Sequence, residues 1–469
     1  LPRSEWFDPA DRATDGFGRP VGGGTGDWPG GGERELPLDA AERRVRSDID
    51  ALGWRARSRV LDRADPTATQ CELWHQDGTE VPYGLGSGKG AHAPAHVGAM
   101  FEALEHAFSG PLIRESLAVE LHEPRELLTG PVGADRAVHD LAHQPDARVA
   151  CLPYAALDGG PSFPAPLSLW APWFPIPTDG MADYRSRVGD TADYRTLLSY
   201  TVNTGCAIGA TREEALLHAL NEWAERDAFS LFLLRSVYDR GPMPARVPDT
   251  ALPGFLHARL DRASALVGSR VVLLDLTTDL RVPVVMAVAP GLAGGSARYY
   301  ALGASLSGET AVDRAVTEFV QGELLARVVA EHDTASAADG RPAERPTFDR
   351  VVAEHDTASA VRDRLAAHPR LLACAHLDFA DRIGEAPLTG MPAETVPRGT
   401  GVPAQRAAVV ARFAAAGHRV GAYTLTKLPH GTTVVQVQCP GLERFHLITK
   451  GHLALPGARG RRLRAGRTV

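Results

Sequence analysis

The stretch NTGCAIGATREEALLHALNEWAERDAF, Asn203–Phe229, decides the reading of the whole chain. A glycine-broken segment runs into a helix whose charges share one side. Thr211 and Glu214 form T-x-x-E, a capping box that predicts a helix starting at Thr211. At about 100° per residue, Glu214, His218, Glu222 and Glu225 fall in a stripe roughly 80° wide, with Leu216, Leu220 and Trp223 opposite. Like charges one turn apart cost about 0.2–0.5 kcal/mol in an isolated helix. A bound divalent cation reverses that sign, and so does a basic partner such as Arg212 or Arg226. One helix of this kind also suits a solvated acidic face, and capping is the better account of Glu214.

Recurrence changes the weight of the pattern. GLGSGKGAHAPAHVGAMFEALEHAF (Gly84–Phe108) repeats it with Glu102 and Glu105, and YYALGASLSGETAVDRAVTEFVQGEL (Tyr299–Leu324) with Glu318 and Gln321. Each begins with a glycine-rich stretch, and each has an alanine three positions before its first acid: Ala99, Ala219 and Ala315. Carboxylates one turn apart on several helices suit hard cations, and magnesium takes such oxygens together with phosphate. Glycine-rich turns at helix N-termini would add backbone N–H donors for anions. The combination points to a nucleotide held through more than one Mg²⁺. GSGKG is not a Walker A loop, because Tyr83 stands where glycine is needed and Gly90 where serine or threonine is needed. Lys89 reads either as a point charge for phosphate or as plain surface.

The 469 residues are 44% hydrophobic and 23% charged, ordinary globular usage with ample material for a core. A net charge of -7 and a sequence pI near 6.2, with no large basic domain, suggest neither a nucleic-acid-binding nor a membrane-surface protein. Five dispersed cysteines without a C-x-x-C pattern suit a reduced compartment, and no apolar run is long enough for a membrane span or signal core. A cytoplasmic protein with neither nucleic acid nor membrane as partner is expected.

Residues 1–37 are dense in glycine and proline and read as an N-terminal extension, mobile unless docked on the body. From Leu38 the apolar spacing predicts a helix ended by Gly53, then a hairpin turning at Asp77-Gly78. Val271–Pro290 and Arg419–Gly441 each read as strand–turn–strand. With helices alternating among such strands, the class is α/β or α+β: mixed sheets flanked by helices. RVVAEHDTASA occurs at 327–337 and again at 350–360, a local duplication with no assigned function. The chain closes on LPGARGRRLRAGRTV, a basic tail that reads either as a contact for an acidic leader peptide or as a solvated end.

The three acidic segments resemble the ATP-binding motifs of the YcaO family. They stand as Ser87-Gly88-Lys89-Gly90 with Glu102 and Glu105; Thr204-Gly205-Cys206-Ala207-Ile208-Gly209 with Glu222, Glu225, Arg226 and Asp227; and Arg314, Ala315, Glu318 and Gln321. LLDLTTDLRVPVV and VQCPGLERF also look like family strands. The resemblance spans roughly Trp54 to Pro456. It implies a YcaO-like catalytic domain over 38–469, with an ATP and Mg²⁺ site built from the three acidic helices. By motif position Glu102, Glu105, Glu222, Glu225 and Glu318 would be metal ligands. Ser87, Lys89, Arg226, Arg314 and Gln321 would contact the nucleotide or organise the acids. The implied activity is phosphorylation of a peptide backbone amide during maturation of a ribosomally made peptide. Cyclodehydration of Cys, Ser or Thr to azolines leads; thioamide or amidine formation, or a non-catalytic ATP-binding accessory role, stays open.

Where the chain departs from the pattern, His106 replaces an arginine, Thr204 replaces an asparagine, and the tail is arginine-rich rather than proline-rich. The chain as given has no room for the E1-like module of azoline-forming members. A separate E1-like (ThiF-like) leader-binding partner is therefore expected beside the precursor peptide, as is a homodimer. Cys206 reads as a packing residue, since no activating base accompanies it.

Overall fold

The computed structural model describes residues 31–176, 178–290, 300–338 and 365–465. The first 30 residues of the expected extension, the second copy of the duplication and the last four residues of the tail lie outside them. The first copy ends a long helix.

Helix α1 (Leu38–Ala51) buries Val45, Asp48 and Ile49 and closes at Gly53, whose φ of 70° favours glycine. Strands β1 (Trp54–Val60), β2 (Thr67–His75) and β3 (Glu80–Gly90) form an antiparallel meander, with the β2–β3 turn at Asp77-Gly78 as expected. α2 (His92–Ser109) packs on this sheet. β4 (Glu120–His122), α3 (Pro124–Thr129), β5 (Val149–Ala156), β6 (Phe163–Pro166) and α4 (Asp179–Val188) lead to β7 (Cys206–Gly209). α5 (Arg212–Phe232) follows, with Thr211 Oγ1 accepting from Glu214 N at 3.2 Å as the capping box requires.

A second sheet contains β8 (Ala245–Val247), β9 (Val272–Asp275), β10 (Val284–Val288) and β11 (Tyr300–Ala304), in the order β11-β10-β9-β8. α6 (Gly254–Val267) packs against α7 (Gly308–Ala338), and α8 (Pro369–His376) and α9 (Val402–Ala415) follow. β12 (Gly421–Lys427) and β13 (Thr433–Gln438) complete a third sheet, β4-β5-β12-β13-β7, with β6 on β5. Both expected strand–turn–strand units are antiparallel pairs, β9–β10 and β12–β13. Every pairing between named strands is antiparallel, so within the expected class the fold is α+β.

The glycines of the acidic segments act differently from the sequence reading. GSGKG is not a turn at a helix N-terminus but the end of β3, where burial alternates residue by residue. A Cβ on Gly86 would lie 2.1 Å from Ala103 N, and one on Gly88 1.8 Å from Ala95 O. Hydrogen there lets the strand lie directly on α2. Ser87 and Lys89, one residue out of phase, are thereby turned the other way. The other two units repeat the contact. Gly209 of β7 would meet Ala215 N at 2.5 Å, and Gly303 of β11 would meet Ala315 N at 2.5 Å. In the second unit this close approach falls one turn earlier than Ala219, which is itself fully buried.

The described part of the basic tail is helical and docked through one arginine, while Arg461, Arg462 and Arg464 stay exposed. It forms α10 (Ala458–Arg464), and Arg459 is buried among acids. Its Nε lies 2.8 Å from Asp227 Oδ1 and 3.0 Å from Oδ2, and its Nη1 lies 3.0 Å from Asp279 Oδ2. Glu443, also buried, accepts from the backbone N–H groups of Gly457 and Gly460. A buried charge needs such pairing, and that need draws Arg459 alone of the described tail arginines inside.

Candidate functional site

Three strand–helix units meet around one cavity of about 710 Å³. Ser87 and Lys89 reach it from β3, Glu102 and Glu105 from α2, Glu222, Glu225 and Arg226 from α5, and Arg314, Glu318 and Gln321 from α7. All ten residues singled out in the sequence thus line one space, although they come from segments far apart in the chain.

The acids are held from behind by backbone donors. Glu105 accepts from Ile208 N at 2.9 Å, Glu222 from Gly205 N at 2.9 Å, and Glu225 from Ala304 N at 2.7 Å. Each carboxylate therefore bridges from its helix to another piece of backbone, which fixes its position. Gly205 has φ 85° and would place a Cβ 2.3 Å from Val437 O, so the turn before β7 takes only glycine. Trp223, on the opposite face of α5, donates to Val437 O at 2.8 Å. Gln321 donates to the Ser87 carbonyl, and Lys89 meets Glu318 at 2.5 Å. Arg226 is 3.5 Å from Glu222. At the position of the missing arginine, His106 uses Nδ1 on the Leu85 carbonyl at 2.5 Å and leaves Nε2 3.8 Å from Glu102.

Negative charge dominates this space. Burial raises the Glu102 and Glu222 carboxyls, and burial with Glu102 and Glu222 nearby pushes Glu105 well up. Burial and the charge of Glu318 lift Glu225 to about 7. Glu318 goes the other way: burial opposes ionisation, but the Lys89 ammonium outweighs it and holds the carboxyl below its ordinary value. Burial, then Glu105 and Glu222, keep the Cys206 thiol far above its ordinary value, so it is not an activated nucleophile.

Crowded, desolvated carboxylates of this kind fit added positive charge. Among the described residues no three His, Cys, Asp or Glu side chains converge closely enough to hold a metal by themselves. Mg²⁺ usually takes one or two carboxylates and completes its shell with phosphate oxygens and water. The donor set therefore fits magnesium bound together with a nucleotide.

A pH dependence follows from Glu225. Its proton is held more tightly in the folded chain, so its contribution to stability is fully present below the ordinary value of 4.5 and is lost as pH rises to about 7. Glu102, Glu105 and Glu222 act in the same direction, and Glu318 opposes them. The melting temperature of the ligand-free protein is expected to fall across that window, with Glu225→Gln flattening the fall. Melts in a buffer series check this; a midpoint that stays level or rises would contradict it.

The sequence reading missed other lining residues. Asn221 lies beside the acidic stripe on α5, and the same helical periodicity could have found it; His218, already placed in that stripe, also lines the cavity. Arg34 and Glu35, which also line it, come from the glycine- and proline-rich stretch, where no pattern singled them out, and Glu33 precedes them. Glu33 is buried and meets Arg314 at 2.6 Å.

Comparison with known proteins agrees with this architecture. The family model described as YcaO cyclodehydratase, ATP- and Mg²⁺-binding, matches residues 87–443. The chain therefore belongs to the YcaO family, with ATP and Mg²⁺ as its cofactors. A YcaO from Methanopyrus kandleri bound with AMPPCP and Mg²⁺ shares the fold at TM-score 0.56 and 20% identity, over 90% of this chain and 95% of that one. A heterocyclase in complex with substrate and cofactor superposes at TM-score 0.57 and 20% identity over 87% of this chain, which spans only 52% of that protein. The E. coli microcin synthetase McbBCD complex with pro-MccB17 bound gives TM-score 0.53 at 13% identity, over 83% of this chain and 88% of the matched one. An uncharacterized protein of Methanothermobacter thermautotrophicus is 36% identical over 135 residues, 28% of this chain and 34% of that protein. An uncharacterized protein in the tfuA 3' region of Rhizobium leguminosarum bv. trifolii is 31% identical over 124 residues, 26% of each chain. Among the described residues no helix is long and apolar enough to cross a membrane.

Proposed function

We propose that the chain activates a backbone amide of a ribosomally made precursor peptide, and that its product is an azoline formed from Cys, Ser or Thr. The observation that carries this reading is the meeting of five glutamates, Lys89, Arg226 and Arg314 in one cavity of nucleotide size. ATP with Mg²⁺ supplies a phosphoryl group that turns the amide oxygen, a poor leaving group, into phosphate, a good one. In balance, the side-chain thiol or hydroxyl adds to the amide carbon, the oxygen leaves as phosphate, and the nitrogen gives up its proton to form the C=N bond.

In this reading Glu102, Glu105, Glu222, Glu225 and Glu318 hold the metal ions directly or through water. Lys89 and Arg226, now resting on Glu318 and Glu222, are the cations nearest to hand for phosphate oxygens. Ser87, Gln321 and Arg314 orient the nucleotide or hold the acids. Residues 38–469 form the catalytic domain, acting as a homodimer with an E1-like partner that binds the leader. The heterocyclase and microcin synthetase folds support a peptide substrate.

The test is intact-mass analysis of a precursor peptide encoded beside this protein, incubated with ATP, Mg²⁺ and the E1-like neighbour. Loss of one water per modified residue, with loss of a free thiol where Cys is the target, is the expected result. Exchange of oxygen for sulfur on adding sulfide would move the assignment to thioamide formation. An unchanged peptide despite nucleotide binding would make this an accessory protein.

A further inference from the structure

Amide activation at the cavity gives the arginine-rich end of the chain no part to play. Docked through Arg459, α10 lies against the end of α5, where the helix runs on into a π-helical turn, Leu233–Tyr238. α8 packs on the same turn. Tyr238 joins all three: the Arg464 guanidinium of α10 lies 4.6 Å from its ring centre, and the Arg370 guanidinium of α8 lies 5.8 Å from it. Both are cation–π distances, so the two helices and the turn present one surface.

Exposed arginines gather there: Arg235 in the turn, Arg240 just beyond it, Arg370 on α8, and Arg461, Arg462 and Arg464 on α10. Among the described residues only Arg464 of these has an acidic partner, Asp239 at 2.9 Å. Arg461 donates to the Pro456 carbonyl, a neutral group. The chain as a whole is negative, at -7, so this surface stands against its average. Crowded like charges repel, and a polyanion relieves the repulsion. Guanidinium groups are matched by carboxylates, which they bind in pairs of hydrogen bonds.

Positive charge also continues toward the cavity. The segment Phe445–Lys450 packs on both α8 and α5, and Lys450 at its end is exposed. Burial opposes ionisation of Glu318 in the cavity, and the Lys450 charge, after those of Lys89 and Arg226, favours it. Along α5 the stretch from Glu225 to Tyr238 covers roughly 20 Å. About six residues of extended chain span that length.

Resting on the reading that the chain acts on a precursor peptide, we propose that this arginine surface binds an acid-rich segment of that peptide. The segment lies between the part of the leader held by the partner and the residues modified, about six residues or more from the reacting amide. Its carboxylates take the unpaired guanidinium groups, and the chain beyond extends past Lys450 to the cavity.

The test is fluorescence anisotropy of the full chain with a labelled peptide of alternating glutamate and glycine, beside its glutamine analogue and a single-stranded RNA. The glutamate peptide is expected to bind, more weakly as salt rises, and the glutamine analogue is not. Arg370→Glu with Arg462→Glu is expected to weaken that binding by about tenfold or more. Arg43→Glu with Arg195→Glu makes the same charge change at exposed sites elsewhere and is expected to leave it close to wild type. On the precursor peptide the first double variant is expected to raise KM by a similar factor with kcat unchanged. Equal binding of the two peptides, or equal losses in the two double variants, would overturn the inference. RNA bound as tightly as the glutamate peptide would make this a general anion surface and overturn it as well. Wild-type KM for the precursor in Arg370→Glu with Arg462→Glu, with binding of the E1-like neighbour lost instead, would reassign the surface to that partner and leave amide activation standing. Glutamate-peptide binding that the first double variant abolishes, on a wild-type chain that leaves the precursor unmodified, would strike the amide-activation reading alone.

Discussion

Glu222→Gln is expected to cut peptide-dependent phosphate release by about a hundredfold or more while leaving the fold as stable as before, or more so. The carboxamide keeps the shape and still offers an oxygen to Gly205 N, which now lies 2.9 Å from the carboxylate. What it removes is charge. In the ligand-free chain that charge is unfavourable: burial raises the Glu222 carboxyl, Arg226 only partly offsets it, and Glu318 repels it. Removing it relieves repulsion, as replacing an acid in a crowded pocket does. In the working enzyme the same charge would steady Mg²⁺ on the transferring phosphoryl group, and a hundredfold loss is about 2.7 kcal/mol of transition-state stabilisation. The opposite signs of the two effects make the test sharp. Phosphate release and thermal melting on the same preparation measure both. Retained release would remove Glu222 from the site, and lost release with a collapsed melt would make its role structural.

Arg459→Leu is expected to cost about 3–5 kcal/mol of stability, because it leaves the buried Asp227 carboxylate without its cation. Arg459 and Asp227 are both essentially inaccessible, at 1% and 0% exposure. Asp227 keeps one neutral donor, the backbone N–H of Glu443 at 2.9 Å, which does not replace a guanidinium. Asp227 follows Glu222, Glu225 and Arg226 on α5, so the loss falls directly behind the candidate site. Adding Asp227→Asn to Arg459→Leu removes the stranded charge and is expected to recover part of the loss. Urea denaturation of the single and double variants reads this directly. A single variant within about 1 kcal/mol of wild type would show that the pair contributes little.

Much of the site could be read from local pattern. The acidic stripe of α5, its capping Thr211 and the recurrence on α2 and α7 depend on residues within one or two turns, and helical geometry converts such spacing into a shared face. The strand pairs β9–β10 and β12–β13 were legible for the same reason: β-branched runs on either side of a turn. The glycines were visible but their work was not. Gly86, Gly88 and Gly303 look like turn or anion-binding residues in a linear reading, whereas they are the contact points of strands lying on helices. Only the packed structure shows what a Cβ there would strike.

The sequence by itself thus determined a fold of helices on sheets, the three acidic helices and, through the family motifs, ten of the side chains that line one cavity. Tertiary structure alone decided what closes around them. Glu33 reaches Arg314 and Ser305 from a stretch with no periodicity, and Arg459 reaches Asp227 across 232 residues. Neither pairing follows from local propensity. Both arise because a charge taken out of water must find its counter-charge wherever the folded chain brings one, and that distance is set by packing rather than by spacing along the sequence.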